Sequence, residues 1–426
     1  MLGISEENKN FIVKFVDDFI ERIQTLEGVE KYTNSEIIFY ISEIIGTKYE
    51  NDDIIEYCNK LIEKTIKEIE NNTLKVGGIF SEFGIFTFAI NTINYKKGHM
   101  KKLSLKLNNL LLDYGNYIIR DFKTKKNSAG FYDCINGVSG VLYYLLQTNI
   151  NELDSLKLNN LIEYLIYLTE EHMYKESRVT NFHIEREMLF RKEEKNFFKD
   201  GCINFGLAHG MSGVLATLLK IYDLKLYNKK IVLKAIIKIV SMYEDFEYID
   251  DNIPFYPRQL DINNYINNTN NKDFNNVSWC YGNLSNALIL YKYYESKELK
   301  DKKEKYKKYL KNIINQKSKD YFLEYPVICH GYASILMMQI SLYKKTQDNY
   351  FVLNIDRNIS LLIKSYSKVN RERVNNFSKL NEDIYDELTQ GRREDLSLMM
   401  GIGGIFLVFL EIIGIDGLYK NIFMMD

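Results

Sequence analysis

One template recurs along the chain and constrains its fold more than any other feature: a Gly, two residues, a Gly or Ser, then an apolar run. The copies are Gly137-Val-Ser-Gly140-Val-Leu, Gly210-Met-Ser-Gly213-Val-Leu, Gly282-Asn-Leu-Ser285-Asn-Ala-Leu, Gly331-Tyr-Ala-Ser334-Ile-Leu and Gly401-Ile-Gly-Gly404-Ile-Phe. Ser81-Glu-Phe-Gly84-Ile-Phe is a degenerate sixth. Successive lead positions lie 49 to 73 residues apart, room for two helices and their loops. Small residues at a helix start let neighbouring helices approach closely and let the backbone turn sharply. Repeated helix pairs bury their apolar faces only by stacking on one another. The irregular spacing, with no obvious capping repeats, favours closure into a ring over an open solenoid.

The rest of the pattern is helical. Ile37, Ile38, Ile41, Ile44 and Ile45 share one face of a 3.6-residue repeat, with Asn34 or Ser35 placed as the cap. Leu103, Leu105, Leu107, Leu110, Leu111 and Leu112 crowd a second helix, and Leu156 to Leu168 repeats the pattern. Only three prolines occur, so few breakers interrupt long helices. No alternating Val/Ile/Thr series recurs at the spacing of a sandwich. The expected class is all-α, in a single domain over 1–426. Two segments break the rhythm. Residues 171–204 are charged and aromatic, with a strand-like Val179-Thr180-Asn181-Phe182-His183-Ile184, and read as a small strand-carrying inserted subdomain. Residues 247–278 hold two prolines and an Asn-rich run from Asn263 to Asn276, and read as a long loop at one rim.

Composition excludes some function classes. With 56 basic and 57 acidic residues, no bulk positive charge exists to hold nucleic acid. The longest stretches free of charged residues are diluted by Gly, Asn and Ser, so none reads as a membrane span. The polar, acidic start MLGISEENKN is unlike a signal peptide, which points to a cytoplasmic protein. In that compartment five cysteines do not form a disulfide framework, and metal binding or chemistry is the use to look for.

The chemically capable residues cluster at the repeat turns. His209 precedes Gly210, Cys329-His330 precedes Gly331, Cys280 lies two residues before Gly282, and Asp133 lies four before Gly137. A ring gathers its turns at one end of the centre, so these side chains are expected to converge. Cys280, Cys329 and His330 offer two thiolates and an imidazole. Such a set suits zinc, with three protein ligands and an open fourth position. His209 and Asp133 are acid–base candidates, a histidine for proton transfer near neutrality and a carboxylate to orient it. Each has a plainer reading, as a core or capping histidine and as a helix cap. Cys58, Cys134 and Cys202 read as buried core thiols. Trp279 could wall a pocket but reads more simply as packing, and His99, His172 and His183 lie outside the turns with no assigned role.

At these residues the chain resembles the lanthionine synthetase C family, the lantibiotic cyclases. The matching motifs are Asn204-Phe-Gly-Leu-Ala-His209-Gly210, Ser278-Trp279-Cys280-Tyr281-Gly282, Ile328-Cys329-His330-Gly331 and Ser397-Leu-Met-Met-Gly401-Ile-Gly-Gly404. The segment from Phe182-His-Ile to Gly201-Cys-Ile-Asn204 resembles the nisin-cyclase type within that family, which works beside a separate dehydratase. The resemblance implies an α/α toroid of inner and outer helices with a small insertion. It implies one zinc per chain held by Cys280, Cys329 and His330, with His209 and Asp133 as catalytic residues. The implied activity is addition of cysteine thiolates to dehydroalanine or dehydrobutyrine, closing (methyl)lanthionine rings in a leader-bearing lantibiotic precursor. The implied partners are a dehydratase and an export transporter, the latter allowing a peripheral place at the membrane. A non-catalytic zinc-stabilised peptide scaffold and a glutathione-adding relative are the alternatives. The chain departs from the family pattern at Asn275-Asn276-Val277, where several members carry a basic residue, and at Asn283-Leu284-Ser285, where a Gly- or Pro-containing turn is usual. Leader binding is expected at the 171–204 insertion, where Arg186, Arg191 and Lys192 interleave with Glu185 and Glu187.

Overall fold

Helices alternate along the chain between two kinds of environment. The computed structural model describes residues 3–24, 33–269, 276–371 and 395–426. The principal helices are α1 (Glu6–Gln24), α2 (Asn34–Ile44), α3 (Asp52–Glu70), α4 (Glu82–Lys97), α5 (Lys101–Ile118), α6 (Val138–Leu145) and α7 (Ser155–Tyr167). They continue as α8 (Met211–Leu224), α9 (Lys229–Asp245), α10 (Asn283–Ser296), α11 (Lys300–Asn315), α12 (Tyr332–Thr346), α13 (Ile355–Arg371) and α14 (Ile402–Ile412). The odd-numbered helices are amphipathic. In α9 the buried set is Val232, Ala235, Ile236, Ile239, Val240 and Tyr243, one stripe at helical spacing. The even-numbered helices are buried all round, as in α12, where every residue from Tyr332 to Leu342 is shielded. A helix apolar on every side must lie inside, so the even helices form the inner ring and the odd ones the outer. This is the expected α/α toroid.

The ring closes where the two ends of the chain meet. Phe19 of α1 stacks on Phe406 of α14 with centroids 4.2 Å apart, and Phe15 meets Phe409 edge-on at 5.1 Å. Tyr40 of α2 donates its hydroxyl to the Leu396 carbonyl at 2.6 Å. The axis is filled by the last residues, Phe423 to Met425, all buried. Trp279 Nε1 donates to the Phe423 carbonyl at 2.8 Å, and Lys292 of α10 reaches the Asp426 carbonyl at 2.7 Å. Ser341 of α12 donates to the Met425 carbonyl.

The repeat glycines serve space rather than unusual backbone. Gly137, Gly210, Gly282, Gly331 and Gly401 are the N-caps of α6, α8, α10, α12 and α14, all with extended φ and ψ. A Cβ on Gly282 would meet the Ser278 carbonyl oxygen at 2.0 Å, and one on Gly140 would meet that of Cys134 at the same distance. The turns fold so tightly onto the helix starts that only hydrogen fits.

Three expectations are corrected. The cap of α2 is Thr33, whose side chain accepts from Glu36 N, because a residue at that point leaves Asn34 and Ser35 inside the first turn. The insertion strand is shorter than read. β1 (Glu171–Tyr174) pairs antiparallel with β2 (Ser177–Thr180), and the chain then turns because His183 N bonds back to the Thr180 carbonyl. Ile184 returns as a bridge to Cys202 at the start of β3 (Cys202–Asn204). Residues 247–278 are not one loop. They hold the hairpin β4 (Tyr248–Asp250) and β5 (Ile253–Phe255), then β6 (Gln259–Asp261), which pairs with β3. Of the Asn-rich run, residues 270–275 lie outside the described residues.

Candidate functional site

The turns that precede the inner helices are stitched into a rim by backbone hydrogen bonds. Phe80 N donates to the Ile135 carbonyl, Cys134 N to Ala208, Leu207 N and Ala208 N both to Cys280, Cys280 N to Cys329, and Cys329 N to Met399. Leu398 N donates to Glu36 Oε1 at 2.9 Å, so a side chain of α2, which lacks a glycine turn, completes the link to the next helix. Burial pushes the Glu36 carboxyl up to about 7, against the Leu398 N–H, with Asp395 and Glu82 adding to the rise. The predicted site residues all lie on this rim.

Asp133 and His209 meet across adjacent turns. His209 Nδ1 lies 2.6 Å from Asp133 Oδ2. The other carboxylate oxygen, Oδ1, accepts from the backbone N–H of Asn136 at 2.7 Å and of Gly137 at 2.8 Å. Asp133 is thus both the turn cap and the partner of His209, one oxygen for each task. It is fully buried, while the His209 side chain is 31% exposed. Burial pulls the His209 pKa down. The hydrogen bond and charge of Asp133, with smaller contributions from Cys280 and Glu194, outweigh it, and the net shift is upward from 6.5. With Nδ1 tied to the carboxylate, Nε2 is the nitrogen left for proton exchange.

Cys280, Cys329 and His330 bring one ligand atom each to within 4.8 Å of one another. Tetrahedral bonds of about 2.3 Å to sulfur set two sulfurs about 3.8 Å apart, so three such atoms fit around one ion. Cys280 is held well below the usual thiol range, first by the hydrogen bond from Cys329, against burial, and then by His330. Cys329, which supplies that hydrogen bond and lies beside the Cys280 charge, is held well above it. Two sulfurs and an imidazole are soft and borderline donors, compatible with a thiophilic metal ion.

The remaining cysteines stay out of this set. Cys58 is a core thiol pushed up to about 12 by burial, and Cys134 and Cys202 are fully buried. Trp279 is fully buried against Phe80 and Phe423, packing beneath the site rather than walling it. Residue-by-residue reading singled out neither Asn204 nor Tyr281. Asn204 Oδ1 accepts from Gly206 N at 3.0 Å, and its Nδ2 donates to the Tyr281 hydroxyl at 3.0 Å. The Tyr281 ring lies 6.1 Å from that of His209, and Phe190 of the 171–204 segment approaches the same imidazole at 6.3 Å. Their only sequence signal is that Asn204 and Tyr281 fall within the motifs; Phe190 has none.

Comparison with known proteins bears on this arrangement. The family profile described as Lanthionine synthetase C-like protein matches residues 37–417. The chain belongs to that family. Among curated proteins, Nisin biosynthesis protein NisC of Lactococcus lactis subsp. lactis is 28% identical over 294 residues. That match takes in 67% of this chain and 66% of the relative, a little under two thirds of its length. A solved structure named Nisin cyclase superposes with a TM-score of 0.76 at 21% identity, covering 99% of this chain and 98% of the other. At that identity the likeness speaks for the shared fold. No helix among the described residues is long and apolar enough to cross a membrane.

Proposed function

We propose that the protein is a zinc-dependent lanthionine cyclase. It adds cysteine thiols of a dehydrated lanthipeptide precursor to dehydroalanine or dehydrobutyrine, closing thioether rings. The observation that carries this reading is the His209–Asp133 pair on the same rim as Cys280, Cys329 and His330, in a chain of this family. The three donors would hold about one zinc, leaving the fourth position of the usual tetrahedron open. When bound, zinc supplies a lower pKa for a substrate thiol and keeps its sulfur electron-rich.

The chain's own residues supply the proton chemistry. The new C–S bond forms at the β-carbon, the π electrons move to the carbonyl as an enolate, and the α-carbon must take up a proton. The thiol loses one proton and the α-carbon gains one, so the peptide's mass does not change. His209 Nε2 is the group to carry that proton. Asp133 fixes the ring through Nδ1 and stabilises the imidazolium between the two transfers. The half-exposed imidazole can meet substrate while the buried carboxylate cannot, so Asp133 acts through His209.

The natural setting that fits this reading is a leader-bearing precursor made ready by a separate dehydratase and exported by a transporter. The cyclase would be cytoplasmic or peripheral at the membrane through that transporter. We treat 171–204 as an inserted subdomain of a single toroid domain. The test is to incubate the protein with a dehydrated precursor and count thiols that still react with an alkylating reagent. Ring closure lowers that count at constant mass. An unchanged count with zinc-loaded protein and leader-bearing peptide contradicts the proposal and favours a non-catalytic scaffold.

A further inference from the structure

A cavity of about 230 Å³ lies between the C-terminal ends of α5 and α7, the β1–β2 hairpin and the segment leading to Asp133. Its walls include Phe122, Phe131, Tyr164 and Tyr167. That volume is below the roughly 300–1,000 Å³ of pockets for free small molecules and suits one or two large side chains. The wall also carries an imidazole whose polarity is unmet. His183 is 3% exposed, and its Nε2 lies 2.9 Å from the Asp200 carbonyl. A carbonyl only accepts, so Nε2 carries the proton and Nδ1 is a bare acceptor. That Nδ1 is buried with no hydrogen-bond partner. A buried acceptor left unmet is costly, so a donor is expected to fill the place. Burial holds the His183 pKa down, which keeps the ring neutral and Nδ1 an acceptor. His172, stacked parallel to it at 6.1 Å, bonds instead to Asn181.

The mouth is cationic. Lys123, Lys125 and Lys126 line it, with Glu185 the one carboxylate among the lining residues. Lys126 is neutralised by Glu185 and Glu187. Lys123 and Lys125 have no carboxylate within ion-pair distance among the described residues; they sit over the rings of Phe122 and Phe131, and Lys125 Nζ also donates to the Ile118 carbonyl at 3.1 Å. The cavity also adjoins the chemistry. Phe131 is two residues from Asp133, and Phe190, from the insertion beyond β2, touches the His209 ring.

We propose that this cavity is a docking site for the peptide substrate, taking a large apolar side chain flanked by an acidic residue, with a peptide N–H donated to His183 Nδ1. The inference rests on the cyclase reading for the identity of the occupant. Aromatic walls take the apolar side chain, Lys123 and Lys125, which have no carboxylate partner among the described residues, take the carboxylate, and the imidazole fixes the backbone. An anchor here raises the local concentration of every cysteine in the same peptide near the rim.

The test uses the full chain and three fluorescein-labelled hexapeptides: one with adjacent Phe and Glu, one with Ala in place of the Phe, one with Lys in place of the Glu. Anisotropy should show the Phe–Glu peptide binding about tenfold or more tighter than either control. The double variant Lys123→Glu/Lys125→Glu, on an exposed lip, should invert the preference between Glu and Lys peptides. His183→Leu should weaken all three, with circular dichroism checking its fold. Affinities within about threefold of one another, as a merely water-filled cavity gives, or an unchanged preference in the double variant, overturn the proposal. Ring closure without peptide discrimination removes the cavity and leaves the cyclase; discrimination without ring closure does the reverse.

Discussion

The His209–Asp133 pair and the Cys280–Cys329–His330 set occupy one rim but are held in opposite ways. Asp133 has every strong bond it needs from the polypeptide: two backbone N–H groups on one oxygen and the imidazole on the other. The sulfur set offers three donors compatible with a metal ion. Its donors are held by backbone bonds between their turns and by side-chain contacts within the set, with Ser278 Oγ 3.9 Å from Cys280 Sγ. One half of the site is therefore preorganised by folding alone. In the proposed cyclase the other would gain stability from a bound ion, which adds its binding energy to folding. A reaction that needs a positioned proton carrier and an activated thiol can divide the labour this way.

The sharpest way to break the contrast is to remove a donor. Cys280→Ala should abolish stoichiometric metal, read by elemental analysis, and lower ring closure by about three orders of magnitude or more, given what a bound ion contributes to thiol activation. Chelation should do the same to the wild type, while the His209–Asp133 hydrogen bond persists as a downfield imidazole proton resonance. Loss of that resonance on chelation would mean the pair depends on the ion. The next effect concerns the pair itself. His209→Ala should keep the metal and lose about 10²–10⁴ in rate, the usual worth of one general acid–base group.

Asp133→Asn probes the coupling within the pair. Burial of His209 remains but its charged partner is gone, so its pKa should fall below 6.5, followed by titrating the imidazole by NMR. A histidine whose folded pKa is raised adds stability below the unfolded value, and that gain is lost as pH rises through the folded value. The variant should therefore be destabilised more at pH 5 than at pH 8. Equal destabilisation at both would show that Asp133 matters only as a turn cap. The smallest effect is expected at Tyr281→Phe, which frees Asn204 Nδ2 and should cost about 0.5–1.5 kcal/mol in denaturant unfolding, with metal content unchanged.

Much of this was legible in the sequence for a physical reason. The glycine turns are visible because only hydrogen fits at Gly140 and Gly282, so the constraint is written as residue identity. The same turns carry Cys280, His209 and His330, so the ring brings the site together once it closes. What stayed hidden depends on long-range contact. Helix α2 belongs to the inner ring yet has no glycine turn; Glu36 replaces it by reaching Leu398, far away in sequence. Asp133 could be read as a cap or as a catalytic partner, and nothing local reveals that its two oxygens serve both. His183 had no readable role because its meaning lies in a cavity assembled from α5, α7 and the insertion. The strand around it ended early because the Thr180 carbonyl turned the chain back.

In the proposed cyclase, proton handling and metal holding are separate functions of one rim, joined only in the reaction. The separation is tested by taking His209→Ala protein and determining, on one sample, zinc content and the number of blockable thiols left in a dehydrated precursor. Expected is about one zinc per chain, as in the wild type, with nearly all substrate thiols still free when the wild type has closed its rings. Ring closure at the wild-type rate would contradict it.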